Sequence, residues 1–445
     1  MSAALEFRSS KMDSNAKDSL GSLIVGAVLL VSSMSYPDFA LAQNQPLRAS
    51  ADLRGVRIGA AVAMTPFRNE SDYQDTLKRE FNIIVAENAF KWASVRPSRD
   101  TFNFIDTDAL VDFAEAHNMK IRGHTLVWHN ALPGWLTAGN FTRDEAIAIL
   151  REHILTLVGR YRGRVWAWDV VNEAIDDATG ALRTNSFWYQ AIGPDYLKLA
   201  FQFAREADPN AKLYYNDYSI EGLSAKSNAV YAMLQDLKTQ QVPIDGVGWQ
   251  MHQVDGFRIQ SSNQANARRL ADLGLEISIT EMDVRINLPS TSEKLAQQAD
   301  AFRDAIDFCL TQPNCKALLM WGFTDKYSWV PGTFAGWGDA LIYDANYQAK
   351  PAYFALQKEL QQGLNLAPRI IGASISGKRL MVTGELFEVG ADLFINGERQ
   401  RKVSNDSENP GTGLVAKKSG ARVRSGDVLQ IRNPDGLLSN EFTYP

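Results

Sequence analysis

The chain has 445 residues, 45% of them hydrophobic and 22% charged, the proportions of a globular protein with a sizeable core: two to three domains, or one large barrel plus a small module. Its formal net charge is −5, and no basic stripe or long run of like charge interrupts it, which argues against nucleic acid as a partner.

Residues 1–42 have the form of a secretory signal. Arg8, Lys11 and Lys17 precede an apolar run over 23–31, and Ala40-Leu41-Ala42 offers a small-x-small cleavage site before Gln43. The run is too short to span a bilayer comfortably. The mature protein is therefore expected to be secreted, extracellular or periplasmic, without stable membrane association. The region ahead of the run is long and carries Asp13 and Asp18, which leaves open a start at Met12 and an uncleaved anchor.

From 53 to 360, short β-rich runs alternate with amphipathic helical stretches. Strands are predicted over 57–63, 81–88, 120–128, 165–173, 212–218, 246–252, 276–284 and 317–325. Eight such repeats predict an α/β fold, a (β/α)8 (TIM) barrel, spanning 43–362. The only two cysteines, Cys309 and Cys315, flank residues 310–314 and in an exported protein read as one local disulfide. Residues 363–368 read as a linker. Over 369–445 short β runs are separated by Gly and Asn/Asp turns, predicting a small all-β immunoglobulin-like sandwich. From Pro368 onward there is no Trp and Tyr444 is the only Tyr, so no flat aromatic platform for a polysaccharide is expected there. A spacer or protein-contact role is expected instead, with the partner unspecified.

In a parallel barrel the active-site groups gather at the C-terminal strand ends. Glu173 closes the fourth strand in Trp168-Asp169-Val170-Val171-Asn172-Glu173, and Glu281 lies near the end of the seventh in Ile279-Thr280-Glu281-Met282-Asp283-Val284. Two carboxylates facing one glycosidic bond are the minimal machinery for cleaving a sugar linkage. Ten tryptophans fit that picture, because an indole face stacks on the apolar face of a sugar ring; Trp166, Trp168 and Trp249 read as packing. Alternation along 246–252 sends Val247, Trp249 and Met251 to the helices, and Gln250 and His252 to the barrel mouth. Glu281 and Asp283 share a face unless a bulge intervenes. His124, Leu126 and Trp128 share another, with His129 opposite. That opposition, and the lack of a His-Glu-x-x-His motif, speak against a metal site.

Taken in chain order, the segments 87–92, 122–129, 172–173, 215–218, 250–252, 281–283 and 321–325, followed by 328–334 and 350–353, resemble glycoside hydrolase family 10, the endo-β-1,4-xylanases, over most of 53–360. The resemblance implies a retaining double displacement on xylan or xylo-oligosaccharides, with Glu173 as acid/base, Glu281 as nucleophile and the two carboxyl groups roughly 5–5.5 Å apart. It implies that His252 and Asp283 orient the nucleophile. Asn172 and Gln250 would contact the sugar 2-hydroxyl and the nucleophile, and Lys91, His124, Trp128 and Trp321 would wall the subsite at the cleaved bond. Glu87 and Asn88 would line the next subsite, and Trp329 would crowd the place of a hexose hydroxymethyl. No cofactor or metal is implied, and a monomer is expected. The turns at 375–378, 384–387, 394–397 and 432–436 resemble those of an IPT/TIG-type immunoglobulin-like domain. Two positions depart from the family pattern: Asn130-Ala131 stands where many members have Ser-Gln, and Phe90 where many have Met. Because the Gln helps exclude larger sugars, Ala131 keeps a β-1,4- or mixed-linkage glucan open as the alternative substrate. A carbohydrate-binding barrel without turnover is the alternative of another class.

Overall fold

The structure, a computed structural model, describes residues 45–364, 367–407, 409–434 and 436–445; the secretory signal expected over 1–42 and part of the expected linker lie outside the described residues. The first nine strands are β1 (Arg57–Val62), β2 (Ile83–Ala86), β3 (Lys120–Val127), β4 (Ala167–Asn172), β5 (Lys212–Asp217), β6 (Gly246–Trp249), β7 (His252–Val254), β8 (Glu276–Asn287) and β9 (Cys315–Met320). β7 continues the line of β6 beyond Met251 and pairs with β8, leaving eight staves. Each is parallel to the next, from β1 through β6 to β8 and β9, and β9 pairs with β1 to close the barrel. Helices such as Arg143–Arg160, Tyr196–Ala207 and Ser292–Thr311 lie between the staves.

Both faces of these strands are covered, so β2 and β4 are buried at every position, as parallel strands under helices must be. Ala61, Ile83, Val85, Ala317 and Leu319 form a small apolar cluster of their own, separate from the large core that includes Trp168 and Trp249. Trp249 stacks on Phe308 of helix Ser292–Thr311, ring centroids 5.5 Å apart. Cys309 and Cys315 are joined by a disulfide, which ties the end of that helix to the start of β9.

Every stave departs from the expected limits at one end or both, by a residue or two in most, and three departures are instructive. β2 is shorter at both ends. β9 begins two residues earlier and stops at Met320, because the chain leaves the ladder at Trp321 and turns at Gly322, φ 102°. β8 runs on to Asn287, because β10 (Trp337–Gly338) pairs antiparallel with Ile286 and Asn287. Partners that distant in sequence leave no local signature.

The C-terminal strands are β11 (Arg369–Ser376), β12 (Arg379–Glu385), β13 (Asp392–Ile395), β14 (Glu398–Arg399), β15 (Val403–Asn405), β16 (Gly413–Ala416), β17 (Val428–Arg432) and β18 (Phe442–Thr443). They form two antiparallel four-stranded sheets, ordered β11-β12-β16-β15 and β14-β13-β17-β18. Leu380, Val382, Leu393, Leu414, Leu429 and Ile431 share one buried core, the all-β module expected. Among the described residues no helix is long and apolar enough to cross a membrane.

Candidate active site

A pocket of about 490 Å³ opens where the staves end. Glu173, Glu281, Asn172, Gln250, His252, Glu87, Lys91, His124, Trp128, Trp321 and Trp329 all line it. Two expected residues are not in the lining: Asp283 is fully buried behind it, and Asn88 is exposed beside it, accepting from Lys91 Nζ at 2.9 Å while donating to Glu87 at 3.2 Å.

Glu173 follows β4 directly, at φ 55°, a left-handed conformation that residues with a Cβ adopt rarely. Its backbone N–H donates to Asn216 O at 2.9 Å. Both carboxylate oxygens are held: Trp128 Nε1 donates to Oε2 at 2.8 Å, and Gln250 Nε2 to Oε1 at 2.9 Å. Glu281, inside β8, accepts from Asn216 Nδ2 at 2.7 Å on Oε1 and lies 3.2 Å from His252 Nε2 through Oε2. His252 Nδ1 is 2.8 Å from Asp283 Oδ2, which also accepts from Trp329 Nε1 at 2.8 Å. Asn172 joins the two halves: its Oδ1 accepts from Asn216 at 2.8 Å and from Gln250 at 3.3 Å. Amides thus connect the two carboxylates without a break.

Asn216, Tyr218 and Phe334 lie in segments that carried the resemblance but had no role assigned, and Ser219 and Arg285 were not anticipated. The last four complete the lining; Asn216 is the hub. It is fully buried, and Thr280 Oγ1 donates to its Oδ1 at 2.7 Å. In the barrel register Asn172 sits beside Asn216, and Asn216 beside Gly248. A Cβ on Gly248 would lie 2.0 Å from Asn216 Oδ1, so only glycine leaves room for the amide. The glycine parity in β6 was the available sign. The expected alternation in the third strand fails beyond His124: the ladder to β4 shifts register between His124 and Val127, and Leu126 packs in the core while His124 and Trp128 face the pocket. His124 Nδ1 is 3.1 Å from Asp169 Oδ2, and Asp169 is paired with Arg122 in full burial. Lys91 sits over the rings of Trp128 and Trp321, 5.1 and 5.7 Å from their centroids.

The electrostatics separate the two halves. Burial raises the Glu281 carboxyl, but the hydrogen bond from His252 and the charges of His124 and His252 outweigh it and hold it below its usual range. Burial pulls His252 down, yet the Asp283 charge and hydrogen bond and the Glu281 hydrogen bond raise it to about 10. His252 is thus an imidazolium at neutral pH. Burial depresses Lys91 against the attraction of Glu281, Glu87 and Glu173.

A closed (β/α)8 barrel with two hydrogen-bonded carboxylates in one aromatic-walled pocket at its strand ends defines a barrel glycoside hydrolase. Residues 46–359 match the model for glycosyl hydrolase family 10, and the chain belongs to that family. It is 46% identical over 327 residues to endo-1,4-beta-xylanase B of Thermotoga neapolitana, covering 72% of this chain and 93% of that protein. It is 44% identical over 274 residues to an endo-1,4-beta-xylanase of Agaricus bisporus, covering 62% and 81%. The structure of xylanase 10B from Thermotoga petrophila in complex with xylobiose superposes with a TM-score of 0.70 at 47% identity, covering 72% of this chain and 98% of that one.

Two consequences of the geometry are measurable. A His252 value raised from 6.5 to about 10 means that its charge stabilises the fold in full below pH 6.5, and that this contribution is lost as pH rises through 10. Denaturant unfolding between pH 6 and 10.5 is expected to show that loss in the native chain and not in His252→Asn. The same variant removes the donor that holds Glu281 low, so the acid limb of its kcat/KM profile is expected to move to higher pH than in the native protein. Separately, Gly248→Ala is expected to displace Asn216 from Glu281 and lower kcat by about 10²-fold, the scale of an ångström-level misplacement, with KM changing far less.

Proposed function

We propose that the protein is a secreted endo-β-1,4-xylanase that cleaves internal linkages of xylan with retention of configuration. In the first step Glu173 protonates the glycosidic oxygen while Glu281 attacks the anomeric carbon. The leaving chain departs with that proton, and a glycosyl ester remains on Glu281. In the second step water attacks the same carbon, Glu173 takes its proton, and the Glu281 carboxylate is released.

The observation that carries this assignment of roles is the unequal bonding of the pair. Glu281 is bound to an imidazolium that keeps it ionised, which suits a nucleophile. Glu173 is held by two neutral donors, the Trp128 indole and the Gln250 amide. They orient the acid without placing a fixed positive charge on it. Hydrogen bonds from Asn172 and Gln250 to the sugar 2-hydroxyl would strengthen as oxocarbenium character develops. Trp329, tied to Asp283 and packed 5.1 Å from the His252 ring, supports a preference for a pentose at that subsite. The disulfide supports an exported protein. The chain order we propose is leader 1–42, barrel 43–362, linker 363–368 and β-module 369–445, acting as a monomer without a cofactor.

The test is proton NMR of the anomeric products as the purified 43–445 protein hydrolyses xylohexaose. Early appearance of the β-anomer is expected. An early α-anomer would mean inversion and overturn the double displacement, and turnover of cellohexaose in place of xylohexaose would transfer the proposal to β-glucan.

A further inference from the structure

The β-module carries a groove of about 400 Å³ whose lining bears five cations, Arg399, Arg401, Lys402, Lys418 and Arg422, against one carboxylate, Glu398. Arg399 is engaged by Asp392 at 2.6 Å. The other four form no ion pair among the described residues and are exposed. They come from two stretches, 398–402 and 417–422, which the sheet joins: β15 pairs with β16, and Lys417 N–H donates to Lys402 O at 3.2 Å. The floor is ordered. Buried Ser419 donates to Gln400 Oε1 at 3.0 Å. Beside it, a Cβ on Gly420 would lie 2.6 Å from Arg379 O, so the turn is pressed onto β12. The ordered backbone thus brings these like charges to one groove although each would gain by separating.

We propose that this groove binds the carboxylates of uronic-acid-substituted xylan, so that the module selects acidic stretches of the polymer for the barrel. Two guanidinium forks, on Arg401 and Arg422, match carboxylates in a planar, bidentate way that a neutral sugar cannot exploit. The module offers no Trp and one Tyr, so affinity for the polymer must come from charge rather than stacking. The groove is compact and the whole chain is net negative at −5, unlike the extended basic footprint of a nucleic-acid binder. The identity of the polymer rests on the xylanase reading above: a module covalently joined to the barrel meets whatever anion the barrel's own substrate displays at high effective concentration.

The experiment uses the full mature chain carrying Glu281→Gln, so that the polymer survives, titrated with glucuronoxylan and with neutral arabinoxylan at about 20 mM and about 200 mM NaCl, spanning weak and strong screening. The native groove is expected to bind glucuronoxylan about tenfold more tightly than arabinoxylan at low salt and to lose most of that margin at high salt. The variant Arg401→Gln, Lys402→Gln, Lys418→Gln, Arg422→Gln is expected to erase the margin while leaving arabinoxylan affinity unchanged. In the active background it should leave xylohexaose turnover unchanged. Lys418→Glu alone, the lesser disturbance of the fold, should shrink the margin in the same direction. Equal binding of the two xylans by the native chain, or a margin that survives the four substitutions, overturns the proposal. Capture of phosphatidylglycerol vesicles with no preference between the xylans would also overturn it and give the groove to a phosphate surface. Absence of xylohexaose hydrolysis with the charge-dependent margin intact would instead count against the catalytic reading.

Discussion

Glu281→Ala is expected to lower kcat on xylohexaose by about 10⁴-fold or more, the scale of losing a covalent nucleophile, which corresponds to about 5.5 kcal/mol of transition-state stabilisation. The fold should persist, because the neighbours that bonded the carboxylate keep other partners: Asn216 still reaches Asn172 and Thr280, and His252 still reaches Asp283. Azide supplied with an aryl β-xylobioside of good leaving group should restore turnover. It would attack from the face vacated by the carboxylate and give the α-glycosyl azide, a single displacement with inversion. A β-azide from this variant would show that another residue forms the ester.

Glu173→Ala has the second-largest expected effect, and its signature depends on the leaving group. On xylohexaose, where the departing sugar needs a proton, kcat/KM should fall by about 10²–10⁴-fold. On 2,4-dinitrophenyl β-xylobioside, whose phenolate leaves unprotonated, kcat/KM should stay close to the native value. Turnover should then stall at the glycosyl ester, giving a burst of phenolate. Azide should relieve the stall and yield the β-glycosyl azide, since it enters from the face opposite the ester. The basic limb of the pH profile should vanish with the acid. Equal losses on both substrates would reverse the roles assigned to Glu173 and Glu281.

What could be read in advance followed the range of the interactions concerned. Strand identity rests on local apolar runs, so eight staves were visible and their order followed from the alternation with helices. Glu173 and Glu281 stood out because each follows β-branched or aromatic residues of such a run. Parity held in the sixth strand, where Trp249 is buried and Gln250 and His252 reach the pocket. It failed in the third, where the register with β4 shifts; nothing in the residues 124–127 announces a change that depends on the neighbouring stave. Asn216, noted only as part of 215–218, was given no role because its importance lies in Asn172, Thr280, Glu281 and the space over Gly248, all on other strands. The cationic groove was hidden for the same reason, since its two stretches are separated by the whole of β15 and β16.

The left-handed backbone at Glu173 sets stability against activity at a single position. Any residue with a Cβ carries a conformational cost there of about 1–2 kcal/mol, and glycine carries almost none. Glu173→Gly should therefore unfold at a higher temperature than Glu173→Ala, although both lack the acid. Screening for thermal tolerance alone would drift toward glycine at residue 173 and deliver a robust, inert barrel. Selection for stability in this enzyme has to be coupled at every round to turnover of a substrate whose leaving group needs a proton.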